Sequence, residues 1–180
     1  MFKNFQISAK NLTKTRVICM SAILAALFVV LYSLKLQLAP ELRITFTFIP
    51  LALSGWLLGP VPAMLVGLVG DLVGCILFPA GPYFPGFTLT QILAGLVFGL
   101  FLYRKDVKKI FWQILCSKTI ISVFLNVGLN ALWLSMLYGK AWTIYAASHL
   151  IKNAIALPIE VILLLLVIKV LHSRGIQKNV

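Results

Sequence analysis

Acid is what this chain lacks. Its 180 residues include 4 Asp and Glu against 16 Lys and Arg, and charged residues make up only 11% of it. A soluble domain carries roughly 25% charged and 45–50% apolar residues, whereas 61% of this chain is hydrophobic. So few charges cannot cover that much apolar surface in water, and the composition identifies a polytopic membrane protein whose solvent is lipid. Cysteine is scarce too. Cys19, Cys75 and Cys116 lie in separate apolar stretches without CxxC spacing, a pattern of packing residues rather than a disulfide or a metal site. The two histidines, His149 and His172, are too few for the three or four ligands of zinc. HExxH, a paired-acid protease motif and GxxxxGK[ST] are all missing. Ser54, His149 and Asp71 have no triad-like spacing. No catalytic or metal-binding residue is therefore expected, and ATP is not expected to bind this chain.

The longest polar stretch is the basic arm, residues 1–16. It leaves no room for a soluble enzyme or ATPase module, and a single membrane domain over 1–180 is expected. No small-x-small cleavage site follows the arm, so it does not read as a secretory signal. Six apolar segments of transmembrane type follow. The first is Val17–Leu36. The second and third share Ile44–Phe78, divided at Gly59-Pro60-Val61-Pro62. The fourth is Thr88–Tyr103, the fifth Ile110–Leu137, and the sixth Trp142–Leu171 with Pro158 inside it. The second begins with Ile44-Thr45-Phe46-Thr47-Phe48, which alternates like a strand. Pro50 then suits a first helical turn, so an extended lead-in and a short helix are expected there. The fold class is an all-α integral membrane bundle of six helices.

The formal charge is +12. In a soluble protein that would suggest nucleic acid, but the bases fall at membrane edges, and no nucleic-acid partner is expected. Lys3, Lys10, Lys14, Arg16, Arg104, Lys105, Lys108, Lys109, Lys169, Arg174 and Lys178 share one face. Lys35, Arg43 and Lys140 occupy the other. The positive-inside rule places both termini, with the tail 172–180, in the cytoplasm.

The outer face then carries Phe78-Pro-Ala-Gly-Pro-Tyr-Phe-Pro-Gly-Phe87, a proline- and glycine-stiffened turn displaying four aromatics. Singly each aromatic suits an interfacial belt equally well, and as a group they suit a lid over a cavity. Polar groups within spans are costly and are candidates for function. Asp71 lies in the third span. Asn126 and Asn130 share a face of the fifth, and His149, Lys152 and Asn153 share a turn of the sixth, with Gln91 in the fourth. An interhelical hydrogen-bond or ion-pair network would use Asn126, Gln91 and Glu160 equally well. Lys118, following the basic loop, is expected to snorkel toward the cytoplasm. In the first span, Ala22 and Ala26, and Ser21 and Ala25, form two small-residue pairs that would admit a close helix from inside or outside the chain.

These motifs resemble a known family. The basic arm runs into Ala22-x-x-x-Ala26, Arg43-Ile-Thr-Phe-Thr-Phe-Ile-Pro50 follows, and Gly70-Asp71-Leu-Val-Gly74 lies in the third span. Tyr83-Phe-Pro-Gly-Phe-Thr-Leu-Thr-Gln91 then leads to Gly99-Leu-Phe-Leu-Tyr-Arg104. Over its whole length the chain resembles the substrate-binding S component of an energy-coupling factor (ECF) vitamin transporter, most of all the folate-specific members. The resemblance implies a small receptor in the bacterial plasma membrane. It would capture folate outside and dock on a transmembrane T component carrying two ATPases, which alone use ATP. It places the T component against Ala22 and Ala26. Folate chemistry suits the candidates. Asp71 could accept the pterin's adjacent N–H donors, with Gln91, Asn126, Asn130 and Asn153 completing the polar edge. Phe46, Phe48, Tyr83, Phe84, Phe87 and Trp133 offer ring faces. Arg43 suits the glutamate carboxylates, with Lys152 or His149 assisting. Riboflavin, thiamine or a queuosine precursor also carries a flat polar ring, and a non-transporting six-span scaffold is the reading from another class.

Overall fold

The computed structural model describes residues 2–34, 36–39, 42–79, 81–103, 110–139 and 141–174, with positions 2–4, 36–39 and 42–44 described in backbone only. In chain order the elements are α1 (Phe2–Asn11), α2 (Thr15–Ser33), β1 (Leu36–Ala39), β2 (Leu42–Ile44), α3 (Phe48–Leu57), α4 (Pro60–Leu77) and α5 (Pro85–Leu102). A long rod follows, made of α6 (Ile110–Ile120), a π-helical stretch Ile121–Asn130 and α7 (Ala131–Tyr138). The last element is α8 (Trp142–Ser173). Five helical stretches among the described residues are long and apolar enough to cross a membrane: α2, α4, α5, the α6–α7 rod and α8.

The second expected span is the exception. Its helix, α3, has 10 residues, a rise of about 15 Å, or half of a hydrocarbon core about 30 Å thick. The extended lead-in is present but begins earlier than the alternation suggests. β1 and β2 pair antiparallel, with Leu36 opposite Ile44 and Gln37 opposite Arg43. At Phe46 the chain is already turning, and the Ile49 N–H bonds back to the Phe46 carbonyl at 3.1 Å. A half-length helix among full-length neighbours leaves part of its column unfilled, and the cleft described below occupies that space.

Two features fix how α3 and α4 meet. Gly59 joins them at φ 101°, a left-handed conformation that a side chain rarely adopts. Pro60 then opens α4, where a missing N–H costs nothing. Helix α5 lies close along α4: a Cβ on Gly95 would meet the Ala63 carbonyl oxygen at 2.5 Å. Helix α2 turns Val17, Leu24, Ala25 and Phe28 into the core and leaves Ile18, Ile23, Leu27 and Val30 on its outer face. Core side chains buried between the helices include Trp56, Phe28, Phe98, Ile114 and Leu164.

The basic arm is more than a polar leader. Residues Phe2–Asn11 form a helix, although ten residues make a marginal helix alone. Tertiary contact holds it: Ser8 is fully buried, donating to the Leu58 carbonyl at 3.2 Å and accepting the Val61 N–H at 3.3 Å.

Candidate functional site

A cleft of about 240 Å³ lies at the end of the bundle where α4 gives way to α5. Its walls come from the end of α2, the lead-in and first turn of α3, the second half of α4, the turn before α5, α5 as far as Phe98, Lys118 near the end of α6, the π-helical stretch with α7, and α8. Eleven of the fourteen candidate ligand-contacting residues line it: Phe48, Asp71, Tyr83, Phe84, Phe87, Gln91, Asn126, Asn130, His149, Lys152 and Asn153.

Asp71 is only 3% exposed. Thr88 Oγ1 donates to its Oδ2 at 2.7 Å. A hydroxyl has one proton, so the 3.0 Å contact between Tyr83 and Thr88 must have the Tyr83 phenol donating. The result is a relay from the turn through α5 to the acid on α4. Asp71 Oδ1 takes part in no hydrogen bond among the described residues.

On the facing wall the amides form a directed ladder. Asn153 Nδ2 donates to the His149 carbonyl at 2.7 Å, Asn126 Nδ2 to Asn153 Oδ1 at 3.0 Å, and Asn130 Nδ2 to Asn126 Oδ1 at 3.2 Å. The ladder ends at Asn130 Oδ1, which is buried without a partner among the described residues, as is His149 Nε2. Buried polar atoms are rarely left unsatisfied, and those that are call for an explanation such as a ligand. Here the two line one cleft.

The rings are set by packing. Phe84 meets Phe87 edge-on, with centroids 6.1 Å apart and planes at 72°. A Cβ on Gly86 would come within 2.5 Å of Trp133 and 2.6 Å of Phe84, so only glycine between Pro85 and Phe87 lets these rings close up. Trp133 itself does not reach the cleft surface. It backs Phe84 at 5.6 Å, and its Nε1 donates to Thr90 at 3.2 Å. Phe46 also lies off the wall. Because the chain coils into α3 rather than continuing as a strand, its neighbours Thr45 and Thr47 line the cleft instead. Arg43 pairs through its backbone in the hairpin, and its side chain lies outside the described residues.

Lys118 corrects the expectation of snorkelling. It is 3% exposed, lines the cleft and forms an ion pair with Glu160 of α8. A carboxylate within reach removes the need to extend toward headgroups. Sequence reading also missed Tyr32, Cys75 and Thr90 on the wall, and Thr88, which holds Asp71 from behind it. Thr88 and Thr90, polar positions at the start of an apolar span, carried a usable signal. Tyr32 and Cys75 carried none, since each is common in packed helices. The two small-residue pairs of α2 separate cleanly: Ala22 and Ala26 are exposed on its outer face, and Ala25 is buried.

Comparison with known proteins agrees with this architecture. The family described as the substrate-specific component of ECF transporters matches residues 16–168. The folate transporter FolT of Clostridium novyi is 41% identical over 125 residues, covering 69% of this chain and 72% of that protein. FolT of Leuconostoc mesenteroides is 32% identical over 152 residues, covering 82% and 81%. A crystal structure of FolT bound with folic acid superposes with a TM-score of 0.76 at 37% identity, covering 83% of this chain and 90% of that one. The solved S component of a bacterial ECF transporter shares the fold, with a TM-score of 0.71 at 24% identity, covering 89% and 97%. This chain, a multi-pass membrane protein, belongs to the substrate-specific S components of ECF transporters.

Proposed function

We propose that this protein is the folate-capturing subunit of an ECF importer in the bacterial cell membrane, binding the vitamin from outside. The observation that carries the reading is Asp71: a buried acid with one oxygen unpaired among the described residues, lining a cleft with Phe48, Phe84 and Phe87. A carboxylate accepts two adjacent N–H donors well, and a pterin edge presents such a pair. The rings offer stacking and edge contacts to the pterin and the aminobenzoyl group. Gln91, Asn126, Asn130 and Asn153 meet the remaining polar edge. Arg43, Lys152 and His149 take the glutamate carboxylates. Trp133 serves from behind Phe84, and Phe46 supports the lead-in. The names of the FolT relatives and the folic acid bound in the solved FolT support the choice of vitamin.

Energy is supplied elsewhere. ATP use by partner ATPases is general to ECF transporters, and this chain acts as their receptor rather than as an enzyme. Ala22 and Ala26, exposed on α2, form the surface for a helix of the T component. The chain works as one membrane unit over 1–180, with the basic arm and tail in the cytoplasm.

Titrating the detergent-purified chain with folic acid, read by tryptophan fluorescence, tests the proposal. Saturable binding below about 1 μM, or about −8.2 kcal/mol, is expected. Binding of riboflavin or thiamine with none of folic or reduced folic acid would reassign the vitamin.

A further inference from the structure

We infer that Lys118 and Glu160 are positioning residues that hold the Phe48 ring as a wall of the ligand cleft. This rests on the vitamin-binding reading above.

A lysine at membrane depth needs a partner, because an unpaired charge there is costly. Glu160 supplies the anion from α8. The ammonium is not used up by that pair. Nζ also sits over the Phe48 ring, 4.4 Å from its centroid, and 5.9 Å from that of Phe98. Both distances fall within the roughly 6 Å reach of a cation–π contact, and the desolvated setting strengthens it.

Three helices are thereby tied at one point: α6 through Lys118, α8 through Glu160 and α3 through Phe48. A pair that only locked α6 to α8 would gain nothing from lying on the cleft surface. Lys118, Glu160, Phe48 and Phe98 all line the cleft. Phe48 is the first residue of the half-length helix, at the join with the extended lead-in. Its side chain has no polar atom with which to anchor itself. The ammonium occupies one face of the ring, so a planar ligand reaching Phe48 meets its other face or its edge. Ring placement, and with it the width of the slot, is then set by an ion pair that need not touch the ligand.

A mutant cycle decides it, with folic acid affinity measured alongside thermal stability. In the unsubstituted background, Phe48→Leu is expected to weaken binding about tenfold. In a background carrying Lys118→Met and Glu160→Gln, which removes both charges together, the same change should cost less than about twofold, because the ring is already unpinned. Lys118→Arg, which keeps both contacts, should stay within about threefold of the parent. An equal loss from Phe48→Leu in both backgrounds would overturn the inference and leave the pair as a lock between α6 and α8. Should the neutral pair not fold, Glu160→Asp, which draws the ammonium off the ring while keeping both charges, replaces it as the second background under the same criterion. If the unsubstituted chain binds a different vitamin, the folate assignment fails, and the same cycle run with that vitamin still decides this point.

Discussion

Thr88 Oγ1 donates to Asp71 Oδ2 at 2.7 Å while receiving the phenol of Tyr83 at 3.0 Å. One threonine thus couples the acid on α4 to the turn that covers the cleft. The pairing orients the carboxylate, with Oδ2 committed and Oδ1 left for a ligand. Asp71→Asn keeps the shape but replaces an ionised acceptor with a neutral one that also carries an N–H₂. Folate affinity should fall by roughly 1.5–3 kcal/mol, the worth of hydrogen bonds to a charged group. Thr88→Val should also weaken binding, by about tenfold, because the carboxylate loses its orienting donor and Tyr83 its acceptor. Calorimetry on both variants checks this. Unchanged affinity in both would remove Asp71 from the site.

The asparagine ladder yields a separate expectation. Asn153 is its root, since it is fixed by the His149 carbonyl and in turn fixes Asn126, which fixes Asn130. Asn153→Leu leaves the Asn126 amide without its acceptor, a loss of about 1–3 kcal/mol for a buried donor. It also frees Asn126 and Asn130 to rotate. The variant should melt earlier than the parent and bind folate more weakly, and saturating ligand should recover part of the lost stability. A variant with a lowered melting temperature but parental affinity would show that the ladder serves packing alone.

Much of this was legible in the residues. Hydropathy marks the long spans, because lipid demands a length set by the bilayer. The Gly59-Pro60 break, the short α3 and most of the cleft wall follow from turn chemistry and from polar groups out of place in lipid. What was not legible depended on partners remote in sequence. Lys118 looks like a snorkelling lysine until Glu160, on another helix, is brought beside it. Phe46 and Phe48 share a side only if the strand continues, and it does not. The π-helical stretch Ile121–Asn130 has no local sign in its residues. Trp133 reads as a ring of the site, but nothing in its local sequence reveals that Phe84 stands between it and the cleft.

Docking should be separable from binding. Ala22 and Ala26 face outward on α2, whereas Phe28 on the inner face packs against α4 at Gly70. Ala22→Trp and Ala26→Trp place bulk where a partner helix would approach and leave the cleft untouched. Folate binding by the purified chain should stay within about twofold, while co-purification with the T component and vitamin uptake are lost. Retained co-purification would move the docking surface to another face.

Ser8 caps two helices at once from the opposite end of the bundle. The α3–α4 turn leaves the Leu58 carbonyl and the Val61 N–H without helical partners, and Pro60 and Pro62 on either side of Val61 have no N–H to offer. One hydroxyl answers both groups, and its position under Gly59 is tight, since a Cβ there would lie 2.6 Å from Ser8 Oγ. Ser8→Ala removes only the hydroxyl and with it both hydrogen bonds, leaving two buried backbone groups unpaired. Stability should fall by about 1–3 kcal/mol, and amide exchange across residues 5–11 should quicken sharply as α1 loses its anchor. Folate affinity should hold, because the cleft lies two to three helical turns or more from this joint along α4. Unaltered exchange in α1 would show that the helix is held by something other than Ser8.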